Sequence, residues 1–288
     1  MTANRTRIGL GAWAALQRQR RVCARPAVAI LAKAVFVSLL ACSLLPRLAT
    51  SAQDAEHPSN PLSALFSPQT QPVGTGSLKR ANFERERASA EARHVADWVI
   101  DSGDNRSMPF AIVDKTDAKV FVFDANGRLR GAAPALLGLA LGDDAVPGIG
   151  DRPLSSIRPE ERTTPAGRFE AALDRNLRGK EILWVDYDGA VSMHPVVTTK
   201  PEERRAQRLA TPTPLDNRIS YGCINVPAKF FETVVRTAFT GTNGIVYVLP
   251  ETRTAREVFA SYDVEERARR QTATQTVPVQ VASGADPH

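Results

Sequence analysis

Two periodicities run along this chain. Between Asn82 and Ile100 the apolar residues Ala92, Val95, Ala96 and Val99 recur every three or four positions. That spacing predicts a helix over 82–101, capped by Asn82 and ended by Ser102-Gly103-Asp104-Asn105. From Pro109 the pattern changes. Residues 109–114 and 119–123 read as two strands, with a turn at Asp124-Ala125-Asn126-Gly127, so a hairpin opens a β region. Residues 182–187 and 190–194 form a second strand pair about Asp188-Gly189, and 245–249 a final strand. Residues 132–141 are small and apolar and fit neither period. After Pro227, which suits a first helical turn, Phe230, Phe231, Val234, Val235 and Ala238 return to helical spacing. Two stretches rich in proline or glycine, 142–165 and 195–218, read as long loops, and the second is expected to cover a cleft as a lid. The pattern predicts a mainly β fold with flanking helices, an α+β class.

Composition adds a compartment. The 288 residues are 43% apolar and 24% charged, the balance of a globular protein, with a net charge of +6. Residues 1–52 hold eight basic side chains and no acidic one, leaving 29 basic and 31 acidic side chains in the other 236 residues. A body so near neutrality lacks the electrostatic footprint of a nucleic-acid binder. Within 1–52 an uncharged apolar run, 34–45, follows the arginines, and Ala49-Thr50-Ser51-Ala52 follows the run. This describes a secretory signal cleaved after Ala52. An uncleaved membrane anchor is the alternative, because the run lengthens if 27–32 join it. Residues 53–81 read as a tether rich in Pro, Gly and Ser, and 251–288 as a charged helix with a polar tail. The expected location is therefore the periplasm or cell envelope.

Export sharpens the cysteine count. Cys23 and Cys42 fall in the leader, so the mature chain keeps Cys223 alone, either as a small core hydrophobe or as a nucleophile. Cys223 is expected just before a helix N-terminus, whose amides favour a thiolate. Gly222 permits close backbone approach, and the amides of 221–223 are candidates to receive an oxyanion. A base is needed within hydrogen-bond reach. Of the four histidines, His57 lies in the tether, His288 ends the chain and His94 sits on the N-terminal helix; His194, at a strand end, is the candidate. One cysteine and scattered histidines supply no metal-ligand spacing, and no cofactor motif is present. Gly148-Ile149-Gly150 lacks the third glycine of a dinucleotide loop.

Ser220-Tyr221-Gly222-Cys223-Ile224-Asn225 resembles the Ser-His-Gly-Cys-(Ile/Val/Leu)-(Asn/Arg) signature of the L,D-transpeptidases, the YkuD-like domain. Thr164-Pro165-Ala166-Gly167-Arg168-Phe169 is similar to that family's Thr-Pro-x-Gly-x-Phe segment, and 110–127 to its opening strands. The similar region spans about residues 108–250. Two positions depart from the pattern: Tyr221 stands where the family has a second histidine, and 28 residues separate His194 from Cys223, more than is usual.

The resemblance implies a YkuD-like β-sandwich or barrel and a periplasmic transpeptidase that needs no cofactor. Cys223 is the implied nucleophile and His194 the base, with Ser220, Tyr221, Gly222, Asn225 and Arg218 around the loop. Asn225 is expected to orient that loop or cap the helix, and Tyr221 to be a site wall or a packed aromatic. Arg218 is read either as a contact for a substrate carboxylate or as an exposed loop arginine. The implied partners are peptidoglycan stem peptides. Two alternatives stay open: an L,D-carboxypeptidase that hydrolyses such peptides, and a non-catalytic wall-binding module with the same fold.

Overall fold

The computed structural model describes residues 78–275. The basic leader with Cys23 and Cys42, its cleavage site, most of the tether, His57 and the tail with His288 lie outside the described residues. Among the described residues no helix is long and apolar enough to cross a membrane.

Among the described residues, ten strands carry the fold. β1 (Phe110–Asp114) and β2 (Lys119–Phe123) form the expected hairpin, and β3 (Leu129–Pro134) extends it. β10 (Gly244–Val248) lies parallel to β1 and leads into β5 (Gly167–Arg175), β6 (Glu181–Asp186) and β7 (Val191–Pro195). β9 (Ile224–Val226) closes the order β3-β2-β1-β10-β5-β6-β7-β9, running parallel to β7. The two-residue β4 (Leu137–Gly138) pairs with β8 (Arg218–Ser220) in a small second sheet. The edges of the large sheet are drawn together. Two residues beyond β3, Leu136 exchanges backbone hydrogen bonds of 2.8 Å with Asn225 of β9 in both directions.

Alternation along β1, β2 and β10 feeds two cores. Ala111, Val113, Val120, Val122, Val246 and Val248 point into the interior of the curved sheet. Phe110, Ile112, Phe121, Phe123, Ile245 and Tyr247 point outward, beneath the helix α1 (Ala90–Ser102). Small branched residues fit the crowded interior, while the aromatics fill the wider gap to the helix. The stripe Ala92, Val95, Ala96 and Val99 is fully buried against them.

Four differences from the pattern have physical causes. α1 begins at Ala90, because Ser89 caps it by accepting from the Ala92 amide (3.0 Å), while Asn82 is held in an extended bridge to Arg128. β5 is absent from the predicted strands: Phe169, Ala171 and Leu173 do alternate, but charged neighbours dilute the signal. The ambiguous 132–141 stretch splits into the end of β3 and β4. The charged C-terminal helix is two helices, Ala255–Phe259 and Val264–Gln275, broken at Ala260 with φ 54°.

Candidate active site

The parallel pairing of β7 with β9 sets the site. Its register places Met193 opposite Ile224 and His194 opposite Asn225. Met193 and Ile224 are fully buried on the core face. Side chains alternate along a strand, so Ser192 and His194 point to the other face, where Cys223 precedes β9. Cys223 and His194 are close enough for each to shift the acidity of the other. Ser192 Oγ lies 3.7 Å from the Cys223 sulfur, and the Ala190 carbonyl 3.8 Å from it.

His194 is oriented by the main chain. Its Nδ1 is 2.8 Å from the Pro195 carbonyl oxygen, which can only accept, so Nδ1 carries a proton and Nε2 is left for the sulfur. The thiol's acidity reflects opposing influences. Burial pushes the Cys223 thiol up, but the hydrogen bond and charge of His194, aided by Ser192, outweigh it and leave it below its ordinary value. Burial pushes His194 down, yet its hydrogen bond to Cys223, the sulfur's charge and the Pro195 carbonyl leave it raised. Each group thus favours the charged form of the other.

Cys223 is followed by β9, and the helical stretch begins only at Ala228. The helix-terminus activation expected from sequence is therefore corrected, and His194 takes that part. The helix does border the site: it widens into a π turn at Phe231–Val235, and Phe231, Glu232 and Arg236 line the cavity.

The loop residues sort by contact. Ser220 is buried; its hydroxyl donates to the Cys223 carbonyl (2.6 Å) and accepts from the Gly222 amide (3.1 Å), which is thereby committed within the loop. Gly222 has φ 124°, and a Cβ there would lie 2.8 Å from the Thr163 carbonyl oxygen, so two backbones meet where only glycine fits. Asn225 caps no helix. Its Nδ2 donates to the Cys223 carbonyl (3.1 Å) and its Oδ1 accepts from Arg205 (2.8 Å). Tyr221 is a wall of the cavity, with the Arg162 guanidinium stacked 3.9 Å above its ring. Arg218 is not an exposed loop arginine but is half-buried. It lies away from the cavity, paired with Glu251 and donating to the Lys115 carbonyl (2.9 Å), because a charge with little access to water requires partners. His94 faces Ser261 (3.0 Å) on the far side of α1.

The cavity above Cys223 has a volume of about 940 Å³. Its rim comes from the 149–157 loop, the turn at 176–180 and the start of the 195–218 segment, whose Pro195, Val196 and Val197 line it. Beyond Val197 that segment is not the expected lid. It forms the helix α2 (Arg205–Ala210) and folds against β9, drawn there by the bond from Arg205 to Asn225.

No protein-family model and no curated sequence matches the chain. Solved structures do match, at low similarity. A point variant of the helical cell shape determining protein Pgp2 from Campylobacter jejuni is 16% identical over 62% of this chain and 60% of its own, with a TM-score of 0.35. The catalytic domain of the E. faecium L,D-transpeptidase is 14% identical over 50% of this chain and 98% of its own, with a TM-score of 0.30. An L,D-transpeptidase from Mycobacterium tuberculosis H37Rv is 15% identical over 49% of this chain and 57% of its own, again at 0.30. The chain thus spans about three fifths of the Pgp2 and mycobacterial chains.

Three residues of the site escape the sequence reading. Ser192 shares the face of His194 two positions away, a signal that strand alternation contains. Arg162 and Arg205 reach the loop only through tertiary contacts, and no local pattern marks them. Thr164 opens a motif that the sequence shows, but its contact with the nucleophile loop is visible only in the structure.

Proposed function

We propose that this protein is an exported cysteine acyltransferase of peptidoglycan stem peptides, an L,D-transpeptidase. The observation that carries the reading is the Cys223–His194 pair, His194 on β7 and Cys223 immediately before its parallel neighbour β9, with the imidazole held by the Pro195 carbonyl at the floor of an open cavity. The motifs around Cys223 and Thr164 support the choice of substrate.

The Cys223 thiolate attacks the carbonyl carbon of the donor's scissile amide. The tetrahedral intermediate collapses with cleavage of the C–N bond, and the leaving D-alanine amine takes a proton from the His194 imidazolium. A thioester remains. An amine of a second stem then attacks it and yields its proton to His194, and the sulfur departs as thiolate, restoring the pair. Ser192 Oγ is placed to donate to the sulfur while it is charged. With the Gly222 amide committed to Ser220, the amides of Tyr221 and Cys223 are the loop's candidates for the oxyanion.

The rim suits an anionic peptide. Arg152 is satisfied bidentately by Glu161 (2.9 and 3.1 Å), and Arg236 lies 3.9 Å from Glu181. Arg178 and Lys180, both exposed on the 176–180 turn, have no ion-pair partner among the described residues and face the cavity. Stem peptides carry free carboxylates, which these cations complement.

Intact-mass spectrometry with a carbapenem tests the reading. The wild-type protein is expected to gain a covalent adduct, Cys223→Ala to gain none, and His194→Ala to gain it more slowly, by roughly 10²-fold or more for loss of a general base. A wild-type thiol that alkylates yet never acylates would overturn the proposal in favour of a wall-binding module. Incubation with tetrapeptide stems separates transfer, which yields 3→3 cross-links, from hydrolysis, which yields tripeptides.

A further inference from the structure

Beneath the nucleophile loop lies a buried ionic cluster that the chemistry above does not use. The Lys115 ammonium is fully buried and donates to the carbonyls of Gly142 (2.6 Å) and Thr164 (3.1 Å) and to Asp143 Oδ1 (2.8 Å). Glu251 Oε1 stands 3.4 Å from it. Asp143 also accepts from the amides of Glu251 (2.8 Å), Thr252 (2.9 Å) and Arg253 (2.9 Å). Glu251 in turn pairs with Arg218. Two cations and two carboxylates are thus removed from water together. Their desolvation roughly cancels their attraction, and apolar residues of similar volume often stabilise a fold as well. Stability alone does not account for the cluster.

Its contacts suggest a different use, because it grips the nucleophile loop at both ends. Arg218 opens β8 two residues before Ser220, the side chain that holds the Cys223 carbonyl. Thr164, its carbonyl bound by Lys115, turns its hydroxyl the other way. That hydroxyl donates to the Gly222 carbonyl (2.8 Å) and accepts from the Gly138 amide (2.8 Å), and the side chain is wholly buried. The path from ammonium to sulfur is Lys115, Thr164, Gly222, Cys223, with every residue before the last buried.

We propose that the Lys115–Asp143–Glu251–Arg218 cluster is a positioning device for Cys223, and that Thr164 transmits it to the loop. The four charges fix the Thr164 carbonyl and the start of β8. The loop between them then has one conformation, in which the sulfur meets His194. The inference rests on the reading of Cys223 as the nucleophile.

The test uses iodoacetamide on the wild-type chain and on Thr164→Val, Thr164→Ser and Glu251→Gln, with the alkylation rate followed against pH. This probe measures the thiol alone, so a failure of the transferase reading leaves its outcome intact. Thr164→Val keeps the shape and removes only the hydroxyl. Its inflection is expected to move up by about one unit, a roughly tenfold loss of thiolate at neutral pH. Thr164→Ser is expected to return the profile to that of the wild type, which a mere loss of packing would not allow. Glu251→Gln keeps the shape and removes one charge, and is expected to shift the profile in the same direction. A Thr164→Val profile that superimposes on the wild type overturns the proposal. A wild-type profile in folded Glu251→Gln overturns the part assigned to the charges. Should Glu251→Gln fail to fold, Thr164→Val decides alone.

Discussion

At the scale of single residues, the site is an exercise in mutual charge stabilisation. The imidazolium and the thiolate each lower the free energy of the other, and the direction of both shifts follows. Cys223 is charged at a lower pH than an ordinary thiol, and His194 holds its proton to a higher pH than an ordinary imidazole. A thiol pushed down in the folded state contributes stability above its unfolded value, and that contribution fades as pH falls through the folded one. A raised histidine contributes below its unfolded value and loses the contribution as pH rises through the folded one. The two contributions therefore have opposite pH dependence, the thiolate's growing and the imidazolium's fading as pH rises. Wild-type alkylation is expected to inflect below the ordinary thiol value of about 8.5. In His194→Ala the inflection should rise above that of the wild type, because burial then acts on the sulfur without its counter-charge. Equal inflections in the two proteins would remove the ion pair from the account.

At the scale of elements, each strand pair contributes one part of the chemistry. β7 and the residue before β9 hold the reacting groups, the 176–180 turn between β5 and β6 holds Arg178 and Lys180, and the 149–157 loop forms another part of the rim. The turn is itself well built: the Asn176 amide donates to the Lys180 carbonyl (2.8 Å), and Gly179 adopts φ 70°. Its charges can therefore be changed without unfolding it. Arg178→Glu with Lys180→Glu is expected to raise KM for an anionic stem peptide roughly tenfold, for the loss of about 1.4 kcal/mol of binding. The same double variant should leave alkylation by neutral iodoacetamide unchanged. Legibility from sequence also varied by element. β1, β2, β6 and β10 are short runs of branched and aromatic residues, so local pattern suffices for them. β5 alternates too, but Arg168, Glu170 and Asp174 occupy its other positions, and a charged strand looks like a loop. Cys223 and His194 were legible because strand ends and a Gly-Cys turn mark them. The place of Arg218 was not, since nothing in 215–221 announces that Glu251, 33 residues later, will claim its guanidinium.

At the scale of the whole molecule, the large sheet separates two cores with different duties. The inner core backs the site: Met193 and Ile224, neighbours of His194 and Cys223, belong to it. The outer core joins the sheet to α1 and the C-terminal helices, with Trp98 stacked on Phe259 and edge-on to Tyr247. Damage to the outer core should therefore cost stability without altering the chemistry. Trp98→Ala is expected to lose about 3–5 kcal/mol in denaturant unfolding, as large-to-small changes of buried aromatics do. Below its melting temperature, its alkylation profile should match the wild type. A shifted profile would mean that the two cores are coupled through the sheet.

The seam between Leu136 and Asn225 has one more consequence. The amide of Asn225 is bonded across that seam, while its side chain holds the carbonyl of Cys223. Solvent deuterium reaches this amide only when the seam opens, and the same opening releases the main chain beside the sulfur. The lifetime of the closed sheet thus sets an upper bound on how long the nucleophile stays aimed. The exchange rate of a single backbone proton is a clock for both.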